Sequence, residues 1–381
     1  MDHFIPLSVP NLKGNEIEYA TQALSSGWVS TSGAMIARFE EKIAEYLYMP
    51  GSVACQSGTA GLHLSLTALG IGPGDEVIVP ALTFIAAVNP VSYTGAVPVF
   101  MDCGDDLCMD PDKLEQFCTE ECALSEGKLT HTGTGRQVKA IVVVHVFGNM
   151  ANMPRFLAIA KKYGLRLIED ATEALGTRYL NGEFAGTMGD AGVFSFNGNK
   201  IITTGGGGMI VSRDPELLNK LKYLSTQAKN DEVYFVHNEI GFNYRMTNVQ
   251  AAIGLAQMEQ LENFIQIKKE NYESYKNYLS GNRGLAILDF NEGIRPNYWF
   301  YSLYLKNSDI KRDELINFLS GKKIQTRPIW ALIHQQVPYR NCFGYKIEKA
   351  LHYVRNIVNI PCSTSLTSEE VAYVSRCILD I

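Results

Sequence analysis

The sequence predicts an α/β fold, and three observations lead to it. Between about Asn15 and Arg213, apolar runs of three to five residues alternate with longer amphipathic stretches. The runs are rich in valine, isoleucine and phenylalanine, which suit a pleated surface buried on both faces. Turn chemistry marks the joins, as where Gly72-Pro73-Gly74-Asp75 stands directly before one run. Short strands separated by helical segments build a mostly parallel sheet covered by helices on both sides.

Taken in order, the expected strands are Glu76–Pro80, Val97–Met101, Ala140–Val144, Leu165–Ile168, Val193–Phe196 and Met209–Val211. Gly58–Leu69 and Met153–Tyr163 read as helices between them, and Asn181-Gly182 as a tight hairpin turn. Farther on, Thr247 and Gln250 have capping-box spacing, and apolar residues recur at Leu261, Ile265, Tyr272, Tyr275 and Leu279 before Gly281. One helix over that span would be roughly 50 Å long at about 1.5 Å per residue, and would join two subdomains. Trp299–Leu305 and Ile357–Ile360 read as strands, with Asp313–Ser320 and Ser368–Leu379 as helices. The expected division is a large domain over residues 1–250, then the linking helix and a small C-terminal α+β domain over 251–381. The N-terminal segment is expected to pack on the small domain.

A chain of 381 residues exceeds the size at which one hydrophobic core stops growing, which also argues for two subdomains. A formal net charge of −6 gives no electrostatic reason to expect nucleic acid or an anionic membrane as partner. The N-terminal stretch lacks a basic and then apolar leader, and no window approaches eighteen uninterrupted apolar residues, so the chain reads as cytoplasmic. Its eight cysteines read as reduced thiols. Cys103, Cys108, Cys118 and Cys122 fall in one stretch, but their spacing lacks the paired C-x-x-C of a zinc site, and no metal is expected.

The chemistry centres on Lys200, which closes the run Ser195–Lys200 (SFNGNK) shortly before the four glycines Gly205 to Gly208. A lysine beside a hydroxyl-bearing strand end, with Asp170 after an earlier apolar strand, is the set needed to hold pyridoxal phosphate. The lysine would form the Schiff base, and the acid would keep the pyridine nitrogen protonated. Ser57-Gly58-Thr59 stands at the start of a helix, where it either binds a phosphate or serves as a plain cap. Asp170 alone could equally cap a helix, and His145 after its strand reads first as a structural histidine. Phe84 could stack on a flat ring or pack in the core, and Ser195 could give the phosphate a second hydroxyl. Neither G-x-G-x-x-G nor a P-loop occurs, so dinucleotide and nucleoside triphosphate sites lose their main support.

In this order the motifs resemble the DegT/DnrJ/EryC1/StrS sugar aminotransferases, a group of fold-type-I PLP enzymes. The resemblance runs through QSGTAGLHL (Gln56–Leu64), PALTF (Pro80–Phe84), HVFG (His145–Gly148), EDATEALG (Glu169–Gly176), FSFNGNKIITTGGGG (Phe194–Gly208) and GFNYRMT (Gly241–Thr247). It implies Lys200 as the Schiff-base lysine, Asp170 as the pyridinium partner and Phe84 as the stacking ring. It further implies Ser57, Gly58, Thr59 and Ser195 around the phosphate, with Asn243 reaching that phosphate from the partner subunit of a homodimer. Glu173 would face the cofactor's phenolic oxygen, where many members carry Gln, and Gly206 replaces a frequent Glu. Trp28, His145, Arg245, Arg327 and His334 are the candidates for contacting substrate, because guanidinium forks suit diphosphate and carboxylate oxygens.

The activity so implied is transfer of an amino group from L-glutamate to C4 of a UDP-linked 4-keto-6-deoxy-2-acetamido hexose, as in the legionaminic acid and bacillosamine pathways. The alternative substrate is a dTDP- or GDP-linked keto sugar. PLP-dependent 3-dehydratases of the family carry histidine at the Schiff-base position, so Lys200 argues against them. A reading of another class is a non-catalytic PLP-binding regulator, which would be expected to lack the lysine or the acid.

Overall fold

The structure is a computed structural model that describes residues 3–231, 233–282, 284–306 and 310–381. Seven strands frame its ten-stranded main sheet: β1 (Ser52–Cys55), β2 (Asp75–Pro80), β3 (Val97–Met101), β4 (Gln137–Val144), β5 (Arg166–Asp170), β6 (Ala191–Ser195) and β7 (Gly208–Val211). Their spatial order is β1-β7-β6-β5-β4-β2-β3. Pairing is parallel from β3 through β6, and β7 alone among the seven runs against its neighbours. Gly344–Tyr345 extends the sheet beside β3, and the hairpin of Cys122–Ser125 and Lys128–His131 joins along β4.

Strands β2 to β6 are buried almost throughout, as their unbroken apolar runs require when helices cover both faces. The helix Gly58–Ala68 is buried on nearly every side, and Ser57 caps it by accepting from Ala60 N–H at 3.0 Å. Met153–Tyr163 starts at Asn152 and stops at Gly164, whose φ of +67° is the left-handed turn that glycine adopts without strain. Strand β5 runs two residues beyond its expected end, so Asp170 is its last residue. Asn181-Gly182 does form a tight turn, with Gly182 N–H donating to Tyr179 O at 2.9 Å.

The single linking helix is corrected by the structure to two helices, Asn248–Met258 and Leu261–Leu279. Contacts distant in sequence cause the break. Gln257 donates to Asn11 O and Glu16, and Glu259 accepts from Asn15 and Tyr19, which ties the first helix to the N-terminal region. The second helix packs instead beside Ser368–Leu379. A four-stranded antiparallel sheet in the order Leu285–Ile287, Tyr301–Leu305, Ile357–Ile360, Arg327–Pro328 makes the C-terminal layer. Ile5 bridges Ile324 in this part of the chain, and Leu7 O accepts from Cys362 N–H.

Candidate active site

The parallel strands all end at one edge of the sheet, where open α/β sheets place their ligands, and the reactive residues gather there. Ser57, Gly58 and Thr59 follow β1, Phe84 follows β2, and Asp170 and Ser195 end β5 and β6. Lys200 lies on the loop from β6 to β7, whose shape is set by Lys200 N–H donating to Asn197 O and Thr204 N–H to Phe196 O. These seven residues and Glu173 line one cavity of about 350 Å³. Gly58 is needed for the close approach, since a Cβ there would meet Thr172 Cγ2 at 2.7 Å and Ser195 Cβ at 3.1 Å.

Lys200 Nζ lies 3.5 Å from Glu173 Oε1 and 4.1 Å from the centre of the Trp299 ring. The other oxygen of Glu173 accepts from Phe147 N–H at 2.8 Å. Burial pushes the Glu173 carboxyl up to about 7, against the opposing pull of the Lys200 cation. Burial also raises Asp170, while donors from Thr172 and the charge of Lys200 work to lower it. A cation placed against Asp170 would reverse that push. Phe84 is 54% exposed, so it is available to a ring in the cavity rather than packed in the core.

The placement of His145 as a substrate contact is corrected. His145 is fully buried, its Nε2 lies 2.9 Å from Glu169 Oε2, and its Nδ1 accepts from Ala151 N–H. Both ring nitrogens are therefore engaged, and the histidine is structural. Glu169 in turn accepts from the backbone N–H groups of Gly186, Met188 and Gly189.

The remaining candidates lie outside this cavity. Trp28 is exposed, and its carbonyl accepts from Asn248. Asn243 is exposed and accepts from Arg245 Nε, and Arg245 lines a second cavity of about 440 Å³ with Lys222 and Lys229. Arg327 is exposed on its short edge strand. His334 is half-buried near Phe100, with a buried Nδ1 that has no hydrogen-bond partner among the described residues. Sequence reasoning missed the aromatic wall of Trp299, Phe300 and Trp330, which closes the cavity from the C-terminal side. Two of the chain's three tryptophans stand there, and that scarcity was the available signal.

The cavity suits pyridoxal phosphate because it offers three unlike partners for three unlike parts. A buried carboxylate suits a protonated ring nitrogen, an amine suits the aldehyde, and a helix N-terminus with unpaired backbone donors and hydroxyls suits the phosphate. Among the described residues, no group of His, Cys, Asp and Glu is arranged to hold a metal ion, the eight cysteines are free, and no helix is long and apolar enough to cross a membrane.

Comparison with known proteins places this geometry in context. Residues 10–379 match the DegT/DnrJ/EryC1/StrS aminotransferase family. GDP-perosamine synthase of Escherichia coli O157:H7 is 38% identical over 377 residues, covering 98% of each chain. GDP-perosamine synthase of Caulobacter vibrioides is 37% identical, covering 96% of this chain and 95% of that one. Spr1654 from Streptococcus pneumoniae, solved in its PLP-form, superposes with a TM-score of 0.88 at 26% identity, covering 99% of this chain and 98% of that one.

Proposed function

Because the chain belongs to the DegT/DnrJ/EryC1/StrS aminotransferase family, and is thus a PLP-dependent sugar aminotransferase of nucleotide-sugar pathways, we propose that it aminates C4 of a GDP-linked keto sugar with L-glutamate as donor. One observation carries the choice of nucleotide: both curated relatives above, matched over nearly their whole length, carry GDP in their names. Full-length likeness outweighs the local resemblance, in Glu173, Gly206 and the run Phe196–Gly208, on which the UDP-linked 2-acetamido sugar was expected, and it supports the alternative drawn from the sequence.

Bound pyridoxal phosphate supplies an electron sink for the carbon that loses a proton. Lys200 Nζ takes the proton from the α-carbon of the amino acid and returns a proton on the sugar side, so one amine serves both halves of the exchange. Asp170 holds a positive charge at the ring nitrogen. Ser57, Gly58, Thr59 and Ser195 seat the phosphate, and Phe84 covers the ring. Glu173, poised near neutrality, gives a hydrogen bond when protonated and accepts one from Lys200 when ionised. Trp299 packs its ring against the amine and leaves the Lys200 side chain 13% exposed.

A homodimer with shared sites completes the reading. Val233, Tyr234, Phe235 and Ile240 are 67–86% exposed on one hairpin segment, an apolar surface that a second copy would cover. Asn243 follows that segment and would reach the partner's phosphate, while Arg245 with Lys222 and Lys229 would grip substrate oxyanions. Arg327, His334 and Trp28 are secondary candidates for the same task.

Mass spectrometry after incubation with glutamate and UDP-, dTDP- or GDP-linked 4-keto sugars tests the substrate, and amination of only a non-GDP sugar refutes it. Mixing inactive Lys200→Ala and Asn243→Ala proteins tests the shared site. Restored turnover supports it, and no restoration in a mixed dimer refutes it.

A further inference from the structure

Behind the aromatic wall lies a second lysine that the reaction does not touch. Lys268 sits in the middle of the helix Leu261–Leu279 and is only 4% exposed. Among the described residues it has no carboxylate partner. Its Nζ donates to two carbonyl oxygens, that of Trp299 at 3.1 Å and that of Cys362 at 2.5 Å. Burial pushes this ammonium below the usual lysine range, so the arrangement works against the preference of the charge for water. A buried amine held by two carbonyls and the face of the Tyr301 ring, 5.9 Å away, needs a reason, and its first partner supplies one.

Trp299 is the residue whose ring stands 4.1 Å from Lys200 Nζ. Its indole N–H donates to Asn199 O at 2.7 Å, and its backbone N–H donates to Asn297 Oδ1 at 2.9 Å. Its carbonyl is held by Lys268. The Phe300 ring stacks on it at 4.0 Å with planes 6° apart, so a shift of Trp299 carries the neighbouring ring along. Lys268 thus fixes the third corner of the Trp299 peptide to Cys362, two residues past the strand Ile357–Ile360, and to the helix. Its own carbonyl accepts from Tyr301 at 2.7 Å, which stiffens the same junction.

We propose that Lys268 is a positioning residue for the transamination: by clamping the carbonyls of Trp299 and Cys362 it keeps the Trp299 indole seated against the Lys200 amine. The proposal rests on Lys200 being the lysine bonded to the cofactor. A displacement of about 1 Å at such a site costs about 100-fold in rate.

The test uses Lys268→Met, Lys268→Arg, Trp299→Phe, the double variant that combines Lys268→Met with Trp299→Phe, and Lys200→Ala, all as full-length protein. Lys268→Met is expected to lower kcat about 10- to 100-fold with less than about 3-fold change in either KM, because the clamp orients groups without touching substrate. Lys268→Arg, which can still donate to both carbonyls, restores most of the rate. Near-ultraviolet circular dichroism of the cofactor-free protein reports the loss of a fixed indole in Lys268→Met. The pH midpoint of the visible band of the loaded protein moves alike in Lys268→Met and Trp299→Phe, and the double variant moves no further. Independent, additive effects overturn the proposal, as does a folded Lys268→Met protein with wild-type band and kcat. Should Lys268→Met not fold, an unchanged band midpoint in Trp299→Phe overturns it equally. A visible band that survives in Lys200→Ala overturns instead the reading of Lys200, so the two failures are distinguishable.

Discussion

Replacing Glu173 by glutamine isolates one buried ionisation. The carboxyl is 5% exposed, lies 3.5 Å from the Lys200 amine, and is pushed by burial from an ordinary 4.5 up to about 7. A folded-state value above the unfolded one means that the native protein binds more protons between pH 4.5 and 7, so stability falls as pH rises through that window. At about 1.4 kcal/mol per decade of proton affinity, ionised Glu173 costs the fold about 3 kcal/mol above pH 7. Glutamine keeps the shape and cannot ionise. Urea denaturation of the cofactor-free protein from about pH 5 to about pH 8 should therefore show a fall in wild type that is smaller in Glu173→Gln by about 2 kcal/mol, because part of the linkage lies below pH 5. Parallel curves for the two proteins would refute the claim that this carboxyl changes charge near neutrality. In the loaded enzyme, the same substitution should remove or displace the limb of the pH–rate profile near 7.

Other perturbations separate seating from chemistry. Asp170→Asn should still bind cofactor but lose at least about 100-fold in kcat, measured in single turnovers with glutamate. Gly58→Ala drives a Cβ to 2.7 Å from Thr172, and should weaken cofactor binding about 10-fold or more in equilibrium dialysis without changing the first strand's pairing. Glu169→Gln leaves an amide where His145 and three backbone N–H groups need acceptors, so it should cost about 3 kcal/mol of stability by chemical denaturation.

Much of this was legible because the chemistry follows strand ends, and strand ends follow apolar runs. Phe84, Asp170, Ser195 and Lys200 each stand in or shortly after a run that the sequence marks, Ser57 stands at the start of the expected helix Gly58–Leu69 while the strand before it, Ser52–Cys55, was not read, and the fold brings them to one edge. What was illegible depends on partners far along the chain. No local signal splits the helix at Glu259-Gln260, because the cause lies in Asn11, Asn15, Glu16 and Tyr19. An apolar run such as Met209–Val211 does not state its direction, so the antiparallel β7 could not be read. The engagement of His145 needed Ala151 and Glu169 placed around it, and the wall of Trp299 and Trp330 arrives from the C-terminal layer.

Two acids in succession, Glu169 and Asp170, end β5, and a pleated strand sends neighbours to opposite sides. One therefore anchors the loop beneath the sheet while the other faces the chamber above, although a single peptide unit separates them. Inserting one residue upstream in that strand would give the chamber Glu169 and the loop Ile168, whereas deleting one would give the loop Asp170 and the chamber Ala171. Pairing to β4 and β6 on both flanks is what forbids that slippage, so the reaction owes its charge to a pair of hydrogen-bond ladders.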